Sequence, residues 1–141
     1  MPVAIQPGYN LVMRRKYEQE YAPIVEEFNV AVFPYSALAS GFLTGKYRTQ
    51  EDADKRARGF AAAPYLNADG LAVVDALVEI ADERGVEPAT IALAWLRARG
   101  VLAPVSSVST PEQLPTLMAA ARLELSDGEV TRLNEVSQPF A

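Results

Sequence analysis

Three short apolar runs, each set apart by helix-forming sequence, limit what this chain can fold into. They are "PVAIQ" (residues 2–6), "VAVFPY" (30–35) and "VLAPVS" (101–106). The runs are apolar throughout rather than alternating, the pattern of parallel strands covered on both faces. Between the first two, "PGYNLVMRR" reads as a turn and loop with Pro7-Gly8 and Asn10 as breakers, and Lys16 to Phe28 as a helix with Tyr17, Tyr21, Ile24, Val25 and Phe28 on one face. Pro23 fits there only as part of a first turn. Residues 36 to about 66 read as a long loop whose "TQEDADKRARG" is charged and surface-exposed. "NADGLAVVDALVEIADERG" reads as a helix with Asn67 as N-cap, a stripe of Leu71, Val74, Leu77, Val78 and Ala81, and Gly85 as its stop. "EPATIALAWLRARG" gives a second helix, with Pro88 in its first turn and Gly100 as its stop. Trp95 within it reads as core packing. After the third run, "TPEQLPTLMAAARL" reads as a helix capped by Thr110, and "SDGEVTRLNEVS" as a last helix whose Ser126 and Glu129 form a capping box.

Strands separated by helices specify parallel β/α units. Three strands are too few for a closed barrel, which takes about eight. The expectation is therefore an α/β chain, one domain over residues 1–141, with about three parallel strands, flanking helices and open sheet edges. Such a sheet is extended by another chain or belongs to something larger.

Composition narrows the chemistry. The chain has no cysteine and no histidine, so it holds no disulfide, no thiolate nucleophile, no Ser-His-Asp triad and no His- or Cys-ligated metal. Asp, Glu, Tyr and Lys remain as acid–base candidates. A formal net charge of −5 argues against nucleic acid as the main partner. No apolar run reaches membrane-spanning length, and "MPVAIQPGYN" lacks the basic and apolar regions of a secretory signal. The expected location is the cytoplasm, away from membranes.

The stretch "FPYSALASGFLTGKY" (33–47) carries the chemistry. A strand stops at Pro34 and releases an aromatic, Tyr35, then a hydroxyl, Ser36, then Leu38, two glycines and Lys46. An aromatic at a strand end offers a flat face to a flat ring, or else packs in a core or an interface. Loop amides, a hydroxyl and one cation suit a diphosphate. Gly41 and Gly45 permit positive φ or close backbone approach. The segment lacks the GxGxxG and Walker patterns.

"IQPGYNLVMRRKYEQEYAPIVEEFNVAVFPYSALASGFLTGKY" resembles the C-terminal half of aldo-keto reductases. "PATIALAWLRARGVLAPVSSVSTPEQL" and "AAARLELSDGEVTRL" continue the resemblance in order. It implies a partial (β/α)8 TIM barrel, its sixth to eighth β/α units, from an NADP-dependent carbonyl oxidoreductase. By the same resemblance Tyr35 stacks on the nicotinamide and Gln6 bonds its carboxamide. Ser36, Leu38, Gly41 and Lys46 follow the pyrophosphate, and Arg58 either matches an arginine of a loop that folds over the cofactor or is a surface arginine. Ser107, Ser109 and Gln113 map onto the clamp for the adenosine 2′-phosphate. The sequence departs from the pattern at Ala37, usually Pro, and at Ser109, often basic. Thr116 and Leu117 stand where an acid or amide and an Asn usually contact adenine. The family's catalytic Asp, Tyr, Lys and His lie in earlier units, so no catalytic residue is assigned here. The implied properties are a partial NADP site, little or no reductase activity alone, and a partner that is another copy (a homo-oligomer) or a complementary N-terminal half.

Overall fold

The computed structural model describes residues 2–141. Strands β1 (Ala4–Ile5) and β2 (Ala31–Val32) pair in parallel, Ala4 opposite Ala31 and Ile5 opposite Val32. Single bonds extend the pairing. Phe33 N–H donates to the Ile5 carbonyl at 3.0 Å, and Tyr35 N–H to the Pro7 carbonyl at 2.9 Å. The third apolar run does not form the expected strand. It runs parallel to β2 through Leu102 N–H to the Val32 carbonyl at 3.0 Å and Val105 N–H to the Pro34 carbonyl at 2.9 Å. Pro34 and Pro104 both lack the N–H that a regular ladder uses, so the segment is laid along the sheet instead of joining it. Among the described residues the sheet is two-stranded, with a third segment beside it.

A π-helical turn, Tyr17–Tyr21, leads into α1 (Ala22–Phe28). The restart after the wide turn places Pro23 in the first turn of α1, where its missing N–H breaks no helical bond. The face expected to be apolar is only partly covered. Tyr17 is buried and Tyr21 and Val25 pack against the core, but Ile24 and Phe28 are exposed.

The segment read as a loop over 36–66 is mostly short helices, a correction to the sequence reading. A 3-10 segment Ala39–Thr44, α2 (Gln50–Asp54), α3 (Gly59–Ala62) and a 3-10 turn Ala63–Tyr65 follow one another. A capping box between Thr49 and Asp52 starts α2. Gly59 lets α3 sit on α2: a Cβ there would lie 1.6 Å from the Ala53 carbonyl oxygen. Charge patterning hid this fold-back, because its few apolar anchors (Phe42, Leu43, Tyr47, Ala53, Ala62) are widely spaced.

Helix α4 (Ala68–Arg84) begins where Asn67 Oδ1 accepts from Gly70 N–H at 2.9 Å and ends at Gly85, φ 65°. In α5 (Pro88–Ala98) every residue from Ala89 to Leu96 is buried, as in a helix covered on all sides. The helix expected from Thr110 breaks into a 3-10 turn, Pro111–Gln113, and α6 (Leu114–Ala119). Pro115 cannot donate to the preceding turn, so one continuous helix is not available. The capping box of Ser126 and Glu129 starts α7 (Asp127–Val136).

Trp95 lies at the centre, fully buried, with its indole N–H donating to Asn134 Oδ1 at 2.9 Å. Guanidinium groups of Arg14 and Arg99 stand 5.6 and 5.8 Å from its ring centre. Glu18 joins both arginines and accepts from the Tyr9 hydroxyl at 2.8 Å. Arg14 also donates to the Asn134 carbonyl and to Ser137 Oγ. The start of the chain is thereby fastened to its last helix. No helix among the described residues is long and apolar enough to cross a membrane.

Candidate functional site

The chain leaving β2, the segment after residue 105 and the fold-back at 56–58 enclose a cleft of about 860 Å³. Tyr35 stands on one wall, half exposed. Its ring rests over Gly8, where a Cβ would come within 3.2 Å of the Tyr35 Cζ. One side of the ring is thus backed by protein while half of its surface stays accessible.

The loop after Tyr35 is held in an unusual conformation. Ser36, Ala39 and Ser40 have φ of 53°, 51° and 57°, and Gly41 has φ 92°. Left-handed residues without glycine are strained, and such strain persists only where the surroundings enforce it. The enforcing residue is Asn10, fully buried. Its side-chain N–H donates to the Ser36 carbonyl at 2.7 Å, and its Oδ1 accepts from Val12 N–H at 2.8 Å. Leu38 turns the loop: its carbonyl accepts from Gly41 and Leu43 N–H.

Lys46 passes over Gly41, where a Cβ would sit 2.8 Å from the lysine Nζ. Only glycine leaves room for it. Burial, and then the charges of Arg56 and Arg58, push the Lys46 ammonium below its ordinary pKa. Among the described residues none of these three cations lies in a salt bridge. Unpaired cations gathered in a cleft call for an anion.

Opposite them, Ser107, Ser109, Gln113, Thr116 and Leu117 line the cleft together with two carboxylates, Glu87 and Glu112. Ser109 N–H donates to Gln113 Oε1 at 2.8 Å. The Thr90 hydroxyl donates to the Thr116 carbonyl at 2.8 Å, which ties this wall to α5.

Of the positions singled out in the sequence, Tyr35, Ser36, Leu38, Gly41, Lys46, Ser107, Ser109 and Gln113 all line this one cleft, as does Arg58. Gln6 does not: it is exposed just past β1, outside the lining. The strand ends at Ile5, and the chain turns through Pro7 and Gly8 before it reaches the Tyr35 ring. The sequence reading passed over Arg56, which differs from Arg58 only in how the fold-back presents it. It took Asn10 for a turn breaker. The available signal was one amide set among Tyr9, Leu11 and Val12.

The cleft joins an accessible aromatic face, a strained loop rich in turned amides, three unpaired cations and a hydroxyl-lined wall. That set fits a flat heterocycle linked through a diphosphate to a sugar, as in a dinucleotide. No group of His, Cys, Asp and Glu suited to a metal ion occurs among the described residues.

Parallel β/α units with a ligand cleft beyond the strand ends define the class of protein. Comparison with known proteins then places the chain. The model of the aldo/keto reductase family matches residues 1–138, and the chain belongs to that family. A probable voltage-gated potassium channel subunit beta of Oryza sativa subsp. japonica is 37% identical over 119 residues, covering 79% of this chain and 35% of that protein. Aldo-keto reductase AMT2 of Alternaria alternata is 32% identical over 133 residues, covering 94% of this chain and 36% of that protein. The structure of a glycerol dehydrogenase from Gluconobacter oxydans superposes with a TM-score of 0.78 at 24% identity, over 98% of this chain and 43% of that one. The last likeness concerns the fold. The chain spans little more than a third of the length of the curated relatives named here.

Proposed function

We propose that this chain is the C-terminal portion of an NADP-dependent aldo-keto reductase barrel and carries part of its cofactor site. The observation that carries the reading is the convergence of Tyr35, the Lys46 cluster and the Ser107–Gln113 segment on one cleft. A bound nicotinamide dinucleotide supplies hydride chemistry. The chain's own part is to bind and orient it. Tyr35 presents its open ring surface to the nicotinamide. Lys46, Arg56 and Arg58 neutralise the diphosphate, and the loop from Ser36 to Gly41 offers amides alongside.

Reduction of a carbonyl also requires a proton donor at the oxygen. No position of this chain matches the family's catalytic tetrad, so the chain alone is expected to be inactive. The second reading is a non-catalytic module that self-associates or binds a partner. Its support lies in uncovered apolar surface: Val3, Ile24 and Phe28 in the first β/α unit, and Leu102, Leu114 and Met118 late in the chain, are all exposed. Complementary β/α units would cover both flanks and restore the tetrad, which favours an N-terminal half over a second copy. The cytoplasm is the compartment proposed.

The test is calorimetric titration of the chain with NADPH, repeated on Tyr35→Ala. Saturable binding that the variant weakens by roughly five- to thirtyfold, as one lost stacking contact would, is the expected result. Absence of saturation at millimolar cofactor would remove the reading.

A further inference from the structure

We propose that Lys46 is a reactive amine of the cleft that condenses with small aldehydes bearing a phosphate, forming an imine while Arg56 and Arg58 hold the phosphate. The proposal stands apart from the dinucleotide reading and requires no bound cofactor. The chain has three lysines, Lys16, Lys46 and Lys55, and all three are exposed. Access therefore does not separate them, and their neighbours do. Lys55 is paired with Glu51. Lys16 stands over the Tyr21 ring, and Tyr21 and then Glu20 raise its pKa. An ammonium so placed keeps its proton. Lys46 has no carboxylate partner: neither Glu87 nor Glu112, which line the same cleft, bridges to it among the described residues. It faces Arg56 and Arg58 instead, and burial and then those two charges lower its pKa. An ammonium beside other cations gives up its proton more readily, and the free amine is the nucleophile.

The head groups are held in place. The Lys46 side chain crosses Gly41, where a Cβ would lie 2.7 Å from its Cε. The buried Tyr47 ring has the Lys46 ammonium 5.3 Å and the Arg56 guanidinium 5.8 Å from its centre. Arg58 lines the same cleft. One ring thus sets an amine beside a guanidinium, and a cleft of about 860 Å³ admits a small molecule to both. Guanidinium forks suit phosphate oxygens. A short phosphate ester seated on them presents its aldehyde end to the amine. The Lys46 nitrogen attacks the carbonyl carbon. A C=N bond replaces C=O, and the oxygen leaves as water with both amine hydrogens. Nothing is oxidised or reduced in this step.

The experiment treats the full chain with glyceraldehyde 3-phosphate, and in parallel with glyceraldehyde, at neutral pH. Imines are trapped with cyanoborohydride, and labelling at each lysine is read by peptide mass spectrometry. With the phosphorylated probe, Lys46 is expected to be labelled about tenfold faster than Lys16 or Lys55, as one charge-assisted phosphate contact would give. Equal labelling of the three lysines would overturn the proposal, and that comparison needs no variant. Arg56→Gln with Arg58→Gln, at two exposed positions and checked for fold by circular dichroism, tests the phosphate seat. Lys46 should then lose most of its preference for the phosphorylated probe over glyceraldehyde, while Lys16 keeps its rate. A Lys46 preference that survives the double substitution would take the phosphate off the two arginines and overturn the proposal.

Discussion

Asn10 shows how one side chain reaches across the fold. Its amide closes the turn at Val12 and holds the Ser36 carbonyl, so the strained loop beside Tyr35 is set from 26 residues away. Asn10→Ala would leave the buried Val12 N–H unpaired and remove one of the two donors on the Ser36 carbonyl, which also accepts from Ala39 N–H. The expected loss is about 1–3 kcal/mol in urea unfolding, together with weaker dinucleotide binding; a stable variant with unchanged binding would sever Asn10 from the site. Glu18 is the second residue-scale case. Burial alone would raise its pKa, but hydrogen bonds from Arg14 and Tyr9 and the charges of Arg14 and Arg99 outweigh that and lower it from 4.5. A carboxyl lowered in the folded state stabilises it above the unfolded value and ceases to do so as pH falls through the folded value. Glu18→Gln should therefore destabilise the chain at neutral pH. The gap between the unfolding midpoints of variant and parent should close as pH drops below about 4.5. A gap that stays constant would show that Glu18 acts by shape and not by charge.

Among the elements, the fold-back from Thr49 to Tyr65 has the least support from pattern and the most from packing. Helices of five and four residues do not persist alone. They stand here because a capping box starts one and Gly59 seats the other on the Ala53 carbonyl. Gly59→Ala must move one helix off the other, and Arg56 and Arg58 with it. We expect a loss of more than about 2 kcal/mol, in the range of an overpacked buried site, and dinucleotide affinity reduced at least tenfold. Native-like affinity in that variant would mean that the two arginines do not hold the diphosphate. The segment was illegible as structure because its apolar anchors follow no single period. The long helices α4 and α5 were legible because stripe, N-terminal signal and terminal glycine all agreed.

At the scale of the molecule, both flanks stay apolar and open. Among the described residues β1 has β2 as its one strand neighbour, and Val3, Ile24 and Phe28 are exposed. Uncovered edges and apolar faces of this kind associate. Light scattering on the purified chain should therefore show a mass that rises with concentration. Ile24→Lys with Phe28→Lys, on an exposed face, should lower that mass without unfolding the chain. A monomer at every concentration would sink the argument from the open flanks.

The sequence by itself determined the periodic parts: parallel β/α order, the capped helices, the buried tryptophan and the family. Most of the site residues it singled out, from Tyr35 to Lys46 and from Ser107 to Gln113, do line the cleft, because strand ends and glycine loops are local signals. Only the tertiary structure decided that the third apolar run stays beside the sheet, since two prolines on facing segments must meet before their missing donors matter. Tertiary structure likewise brought Arg56 to Lys46, anchored Ser36 on Asn10 and left Gln6 outside the cleft. Each of these depends on which distant segments pack together, and no local pattern encodes that.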